Sequence, residues 1–219
     1  MASHTQKMCN PPRIIIVDDH PVIAEGLRLV LENRDMARVV AMPSSWRSAY
    51  TSYIEHKPDL IVVDLALPEG SGLTLTRQIR ARDPDARILI FSIHDSAIMR
   101  QRAFEAGANA YLAKSSSTSE ICETLRALLA MAPDLSIREP SSQTSFGALP
   151  HDELGRLTPR EFDIFLMLAE GRSVIEIAED LSVSPKTIGV HQTRILKKLN
   201  AANAAHLAHL AIRRELILP

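Results

Sequence analysis

Short apolar runs of strand length recur through the first half of the chain, separated by segments long enough for helices. Three of these runs end in charged residues, at Asp18–Asp19, at Asp64 and at Lys114, and a fourth ends at Ser92. Continuous apolar runs are typical of parallel strands that are buried on both faces. Because ligands bind beyond the carboxyl ends of such strands, we expect the polar side chains to lie in one cleft.

The spacing predicts five units of a strand followed by a helix. Strands are expected at 13–18, 37–42, 59–64, 87–92 and 109–113. Helices are expected near 21–33, 45–56, 71–82, 95–106 and 118–131. Pro21 suits a first helical position and Gly107 suits the residue just past a helix. This alternation predicts an α/β fold, a (βα)5 doubly wound parallel sheet.

The composition changes after the fifth unit. Residues 134–153 are rich in Ser, Pro and charged residues and have no sustained period, which indicates a linker. Beyond it the strand signals stop, and Thr158-Pro159, Ser173 and Ser184-Pro185 each resemble the start of a helix. Two short helices joined by a tight turn predict a helix-turn-helix, followed by a last helix near 202–215. The predicted organisation is an α/β domain at 12–133, a linker at 134–153 and a small all-α domain at 154–219.

The charged cleft has the groups needed to bind a divalent cation and a phosphoryl group. Mg²⁺ prefers oxygen ligands, and Asp19, Asp64, a nearby backbone carbonyl and water would supply them. The Asp64 carboxylate is the expected nucleophile, since a carboxylate can form an acyl phosphate. Lys114 would neutralise charge on the phosphoryl oxygens, and Ser92 would hydrogen-bond one of them. Tyr111, taken alone, fits a half-buried core aromatic as well as a functional role.

These residues resemble the receiver domain of response regulators over about residues 13–133. The resemblance is carried by the paired acids in IIIVDDHP, by VVDLALPEGSG, by the hydroxyl in ILIFS and by the lysine in GANAYLAKS. It implies that Asp64 accepts a phosphoryl group from the phosphohistidine of a sensor kinase. It also implies roles for the other cleft residues. These are Mg²⁺ binding by Asp18, Asp19 and the backbone carbonyl of Ala66, phosphoryl pairing by Lys114, and a conformational switch of Ser92 and Tyr111.

The helix that begins at Pro185 has two unlike sides. Ile188, Ile195, Leu196 and Leu199 share an apolar side, and the opposite side carries small and basic residues. Residues 185–199 contain four basic residues and no acidic one. Gly189 lies inside this helix, where glycine costs about 1 kcal/mol relative to alanine. That cost predicts that the backbone of this helix lies very close to another surface, either a neighbouring helix or a DNA groove.

Residues from Leu157 to Ala208 resemble the LuxR-type (NarL/FixJ) DNA-binding domain, through LTPRE paired with SPKTIGVHQTRILKKL. The resemblance implies that 185–199 is a recognition helix in the major groove of promoter DNA. It places Gly189, Val190 and Thr193 toward base edges. The residues expected to contact phosphate more often are Lys186, Thr187, His191, Arg194 and Lys197. His191 alone fits a packed or capping histidine equally well. Since family members carry Lys among the base-facing residues, direct readout should be modest here, through Val190 and thymine methyls and through DNA shape.

Together the two halves predict a DNA-binding transcriptional response regulator that is switched by phosphorylation of Asp64. Phosphorylation would free the helical domain or dimerise it. The expected partners are a sensor histidine kinase, promoter DNA, RNA polymerase and a second copy of the chain. Candidate dimer surfaces are the last helix, with Leu207, Leu210 and Ala211 on one side, and the helices at 21–33 and 118–131.

Two other classes of protein are weighed against this interpretation. A metal-dependent phosphohydrolase would need a general acid two residues after the nucleophile, where this chain has Ala66. A DNA-binding protein with a degenerate receiver would lack part of the set formed by Asp18, Asp19, Asp64 and Lys114. We therefore expect no enzyme activity beyond slow autodephosphorylation. The absence of an apolar leader or a run of about 20 apolar residues predicts a cytoplasmic protein without membrane contact.

Overall fold

The computed structural model describes residues 10–68, 70–131 and 153–217. The predicted linker at 134–153 lies outside the described residues except for Glu153. The first part contains β1 (Arg13–Val17), α1 (Pro21–Glu32), β2 (Arg38–Ala41), α2 (Trp46–His56), β3 (Leu60–Val63), β4 (Ala66–Leu67), β5 (Gly70–Ser71), α3 (Gly72–Arg82), β6 (Ile88–Ser92), α4 (Ala97–Glu105), β7 (Ala110–Ala113) and α5 (Thr118–Ala130). The five predicted strands and five predicted helices are confirmed.

Five of the strands form one parallel sheet in the order β2-β1-β3-β6-β7. The central strand β3 is buried along its whole length because helices cover both faces of the sheet. Helices α1 and α5 pack on one face through aliphatic residues such as Leu31 and Leu125. Helices α2, α3 and α4 pack on the other face, with Tyr53 and Ile79 in that core. The predicted doubly wound fold is confirmed.

A short antiparallel pair, β4 and β5, follows the end of β3. It turns the chain back so that Gly72, the first residue of α3, lies against the backbone of Asp64. A Cβ on Gly72 would stand 2.0 Å from the Asp64 carbonyl oxygen, so only glycine allows this approach. The turn therefore fixes the backbone that follows Asp64, and the Asp64 N–H is held by the Val17 carbonyl of β1 at 2.9 Å.

The second part is helical throughout the residues that are described. A 3₁₀ turn (Glu153–Arg156) precedes α6 (Pro159–Ala169), α7 (Val174–Asp180), α8 (Pro185–Lys198) and α9 (Ala204–Arg213). Capping boxes begin α6 at Thr158 and α7 at Ser173, and Ser184 caps α8 as predicted. Helices α7 and α8 form the predicted helix-turn-helix, with a turn at Ser182 that has a positive φ of 52°.

The apolar side of the last helix, predicted as a candidate dimer surface, is wrong as a surface because it belongs to the core of the helical domain. Leu207, Leu210 and Ala211 are at most 5% exposed because α9 uses this side to cover α6. The residues of α9 that remain exposed include His209 and Ile212.

Among the described residues, no helix has the length and apolarity needed to cross a bilayer.

Candidate functional site

Three charged residues from three strand ends meet in the cleft. The Nζ of Lys114, which follows β7, lies 2.7 Å from Asp18 Oδ2 and 2.8 Å from Asp64 Oδ2. Asp18 and Asp64 follow the adjacent strands β1 and β3 and are 6% and 2% exposed. The adjacency of parallel strands thus brings together groups that are about 50 residues apart in the sequence. Lys114 holds both carboxylates in place.

Burial and pairing act in opposite directions on these groups. Burial raises the pKa of Asp64 above its ordinary value, although the Lys114 ammonium partly opposes this shift. Burial alone would lower the pKa of Lys114, but its hydrogen bonds to Asp18 and Asp64 raise it. Lys114 is therefore a fixed cation at neutral pH. Its charge is available to an anion that enters the cleft beside Asp64.

The cleft also has the donor set of a divalent cation site. Ligand atoms of Asp18, Asp19, His20 and Asp64 all lie within 4.8 Å of one another. Asp64 Oδ1 is buried and has no hydrogen-bond partner among the described residues, and the nearest partner of the buried Asp19 Oδ1 is the His20 ring. Buried carboxylate oxygens without partners are costly, and a hard cation would satisfy them. The residues present therefore fit Mg²⁺, and Ala66 lies in β4 at the rim of the same cleft.

His20 is a member of this cluster that the sequence reasoning missed. Its Nδ1 lies 3.2 Å from Asp18 Oδ1 and 2.9 Å from Asp19 Oδ1, and its backbone N–H donates to Asp18 Oδ1. The signal was present in the sequence, because His20 directly follows the paired acids. This backbone hydrogen bond turns Asp18 toward the cleft and explains how adjacent acids can both reach it.

The predicted switch residues lie on the next two strands. Ser92 ends β6, is fully buried, and accepts a hydrogen bond from the backbone of His94 at 3.3 Å. Tyr111 is 3% exposed, its hydroxyl donates to the carbonyl of His94, and the Arg100 guanidinium lies 5.0 Å from its ring centroid. The β6–α4 loop therefore connects both switch residues to α4.

The predicted DNA-contacting residues share one face of α8. Most of them are exposed, namely Lys186, Thr187, Val190, Thr193, Arg194 and Lys197. Gly189 and His191 are half-buried, and His191 Nδ1 is buried without a hydrogen bond. The opposite side is core, since Ile188 and Ile195 are fully buried. Lys186, Arg194 and Lys197 form an exposed basic face on α8. Lys198 is not part of this face, because its Nζ lies 2.6 Å from Glu161 Oε2.

The helical domain packs against the α/β domain through polar contacts on α6. Asp163 is 1% exposed, and its Oδ2 accepts hydrogen bonds from Arg77 Nη1 at 2.8 Å and Thr74 Oγ1 at 3.0 Å. Arg102 of α4 donates to the carbonyls of Leu154 and Leu157 at 2.8 and 3.0 Å. Arg102 also lies over the ring of Phe162, 4.8 Å from the centroid.

These contacts between the two domains leave the basic face of α8 uncovered. A further polar contact joins Arg47 of α2 to Ser182 in the turn of the helix-turn-helix, at 2.9 Å. A cavity of about 310 Å³ runs between the domains from Asp19 and Ala66 to Glu170 and Arg172. The described contacts therefore fix the position of the helical domain without covering the side chains predicted to meet DNA.

Comparison with known proteins assigns each half of the chain to a family. Residues 14–126 match the family described as the response regulator receiver domain. Residues 155–211 match the family described as bacterial regulatory proteins of the luxR family.

Relatives and solved structures cover nearly the whole chain. The oxygen regulatory protein NreC of Staphylococcus epidermidis is 30% identical over 94% of this chain and 99% of its own length. The transcriptional activator protein ExaE of Pseudomonas putida is 35% identical over 93% of this chain and 97% of its own. The RcsB response regulator of Salmonella typhimurium, whose structure was studied for DNA interaction, has a TM-score of 0.76 at 23% identity. The match covers 95% of this chain and 100% of the RcsB chain, and it supports the fold.

Proposed function

Because the chain belongs to the response regulators that join a receiver domain to a LuxR-type DNA-binding domain, we propose that Asp64 is its phosphorylation site. One observation carries the proposal: Lys114 bridges Asp18 and Asp64 while Asp64 Oδ1 accepts no hydrogen bond. The carboxylate is thus fixed in position and still has an oxygen available. The donor we propose is the phosphohistidine of a sensor kinase.

The transfer is a single displacement at phosphorus. An Asp64 oxygen forms the new O–P bond as the N–P bond of the phosphohistidine breaks, and the imidazole leaves with the bonding electron pair and takes a proton. Lys114 neutralises charge on the phosphoryl oxygens as they enter the cleft. Ser92 Oγ, at the end of the neighbouring strand, donates a hydrogen bond to one of these oxygens. The product is an acyl phosphate on the protein.

The resident cation of this site is proposed to be Mg²⁺, held by Asp18, Asp19, Asp64 and the Ala66 carbonyl. When bound, it supplies positive charge beside the transferring phosphoryl group. The support is the number of carboxylate oxygens in the cleft and the buried Asp64 Oδ1, which lacks a hydrogen bond. His20 contributes by orienting Asp18 and Asp19 through the contacts described above.

The output is DNA binding at promoters by α8. Its basic face is already exposed while the domains are packed together, so phosphorylation does not need to uncover it. We therefore favour dimerisation with repositioning of the helical domain over simple release. The Tyr111 contact with the β6–α4 loop and the Arg102 contacts from α4 to the helical domain provide a physical route between Asp64 and the output. A second copy of the chain and RNA polymerase are the partners proposed at the promoter.

Several further properties belong to the same proposal. The chain is a phosphoryl acceptor and not an enzyme with turnover, beyond slow autodephosphorylation. Ala66 supports this, because no acid is present two residues after Asp64 to protonate a leaving group. The compartment we propose is the cytoplasm.

Incubation of the full chain with Mg²⁺ and acetyl phosphate tests the function. We expect a stable, acid-labile adduct of one phosphoryl group, which is absent in Asp64→Ala. Asp59→Ala is a matched control, because Asp59 lies at the opposite end of β3 and its carboxylate bonds only the backbone N–H of Arg13 in the described residues. Failure to form an adduct would contradict the proposal, and continuous release of phosphate would support the phosphohydrolase instead.

A further inference from the structure

The single tryptophan of the chain lies against the hairpin that follows Asp64. Trp46 is the first residue of α2, and its ring contacts Gly70, which pairs with Leu67 in the hairpin formed by β4 and β5. A Cβ on Gly70 would stand 2.2 Å from Trp46 Cδ1, so the ring rests directly on the hairpin backbone. Because packed groups leave no free space between them, the hairpin cannot move toward α2 without displacing the ring.

Both strands of this hairpin are joined to the proposed phosphorylation site. Ala66, whose carbonyl is a proposed ligand of the cation, lies in β4. Gly72, directly after β5, lies against the Asp64 carbonyl, and its N–H donates to the Leu65 carbonyl at 2.9 Å. A cation or a phosphoryl group at Asp64 therefore changes the forces on the hairpin, and through the hairpin on Trp46.

The next residue of α2 reaches the helical domain. Arg47 Nη2 donates to Ser182 Oγ at 2.9 Å, and the Arg47 guanidinium lies 5.6 Å from the centroid of the Trp46 ring. Ser182 lies in the turn between α7 and α8, two residues before Ser184, the N-cap of α8. The guanidinium thus contacts both the ring and the turn that sets the start of α8. These contacts do not involve α4, so they are separate from the route through the β6–α4 loop.

We propose that Trp46 is a positioning residue that connects the hairpin after Asp64 to the helix-turn-helix. The series of contacts from Gly70 through Trp46 and Arg47 to Ser182, the Trp46 link, is complete only while the domains are packed together. The link therefore stabilises the packed state, and a shift of the hairpin that displaces the ring weakens it. This inference rests on the proposed phosphorylation of Asp64, and it adds contacts through which the helical domain responds.

Tryptophan emission reports on this link without a label, because the chain has no second tryptophan. The full chain is treated with acetyl phosphate and Mg²⁺, and the adduct on Asp64 is quantified in the same samples. We expect the emission maximum and the quenching by acrylamide to change in proportion to the adduct in wild type and to stay constant in Asp64→Ala. An adduct without a change in emission would overturn the inference and leave the proposed function standing, whereas absence of the adduct would contradict the proposed function.

Two glycine variants test the contact between the ring and the hairpin. Gly70→Ala places a Cβ against the Trp46 ring, so the unphosphorylated variant should already be shifted toward the emission of the phosphorylated wild type. Gly26→Ala in α1 is the matched control, since its Cβ would meet no atom within 4 Å, and it should keep the wild-type emission and response. Wild-type emission from a folded Gly70→Ala protein would overturn the inference.

Affinity for DNA tests the other end of the link. The probe is a duplex selected from a randomised library by the phosphorylated full-length protein. Arg47→Ala and Ser182→Ala should each bind it about two- to fivefold more tightly than wild type before phosphorylation, and equally to wild type after it. The double variant should bind no more tightly than either single variant, because both substitutions remove the same contact. Additive gains, or wild-type affinity of both single variants before phosphorylation, would overturn the inference.

Substitution of the ring tests the positioning role of Trp46 itself. Trp46→Ala should reduce the gain in DNA affinity on phosphorylation about two- to fivefold, because the link no longer stabilises the packed state. Trp46→Phe should restore most of the gain, since an aromatic ring still contacts Gly70. The gain is expressed per phosphorylated molecule, so the extent of phosphorylation does not enter the comparison. A full wild-type gain in Trp46→Ala, or an equal loss in Trp46→Phe, would contradict the role of the ring.

Discussion

Arg77→Ala tests whether the buried ion pair holds the two domains together. Arg77 is the one charged partner of Asp163 in the described structure, at 2.8 Å, and the Asp163 carboxylate is 1% exposed. Without Arg77, this carboxylate would keep a single neutral hydrogen bond from Thr74, and its Oδ1 already lacks one. Breaking a buried pair costs about 3–5 kcal/mol. Because the Arg77 side chain is 28% exposed, we expect about 2–3 kcal/mol.

Separation of the domains is the easiest way for the molecule to avoid this cost, since Asp163 is hydrated once α6 moves away from α3. A change of about 2–3 kcal/mol lowers the ratio of packed to separated molecules about 30- to 150-fold. Small-angle scattering should show a larger radius of gyration for Arg77→Ala. Hydrogen exchange should become faster in the buried first turns of α6, while the strands of the sheet stay protected.

Two comparisons make the result specific. Asp163→Ala combined with Arg77→Ala should separate the domains less than Arg77→Ala alone, because the unpaired charge is gone. Arg28→Ala, which removes two partly exposed ion pairs within α1, should leave the radius of gyration unchanged. A compact Arg77→Ala protein with wild-type exchange in α6 would refute the reasoning.

Three further outcomes follow from the described contacts. Burial alone would raise the pKa of Glu161, but hydrogen bonds from Lys198 and Thr158 lower this pKa to about 2. The contribution of Glu161 to stability is therefore present above about pH 4.5 and lost as the pH falls toward 2. Glu161→Gln should reduce this acid dependence in thermal unfolding of the helical domain. Lys114→Ala should bind Mg²⁺ with about three- to tenfold higher affinity, measured by calorimetry, because a cation that competes for Asp64 is removed. Weaker binding would be evidence against the proposed cation site. Leu207→Ala should destabilise the helical domain by about 2–5 kcal/mol in denaturant unfolding, as expected for a core residue, and a loss near zero would restore the dimer-surface interpretation.

The elements and the cleft were predictable because their signals are local. Apolar runs and N-cap residues such as Ser184 mark strands and helix starts within a few positions. The cleft followed from a topological rule, since parallel strands place their carboxyl ends at one edge, and Lys114 lies between Asp18 and Asp64 as a result. The hydroxyl of Ser92 lies at the same edge for the same reason.

The contacts between domains could not be predicted in this way. Arg77, Arg102 and Asp163 each resemble an ordinary solvated charge on a helix. The packing of the helical domain against α3 and α4 buries Arg102 and Asp163 and pairs Arg77 with Asp163. The same packing explains the error at Leu207. Helix α6 is covered by the α/β domain on one side and by α9 on the other, so the apolar face of α9 is used inside the domain. Sequence periodicity shows that a face is apolar but not which surface covers it.

The central claim is that the phosphorylation state of Asp64 controls DNA binding by α8. The most direct measurement compares the affinity of the full chain for a selected duplex before and after acetyl phosphate treatment with Mg²⁺, in wild type and in Asp64→Ala. We predict that phosphorylation tightens wild-type binding at least about tenfold and has no effect on Asp64→Ala. Equal affinities of phosphorylated and unphosphorylated wild type, or an equal response of Asp64→Ala, would contradict the account.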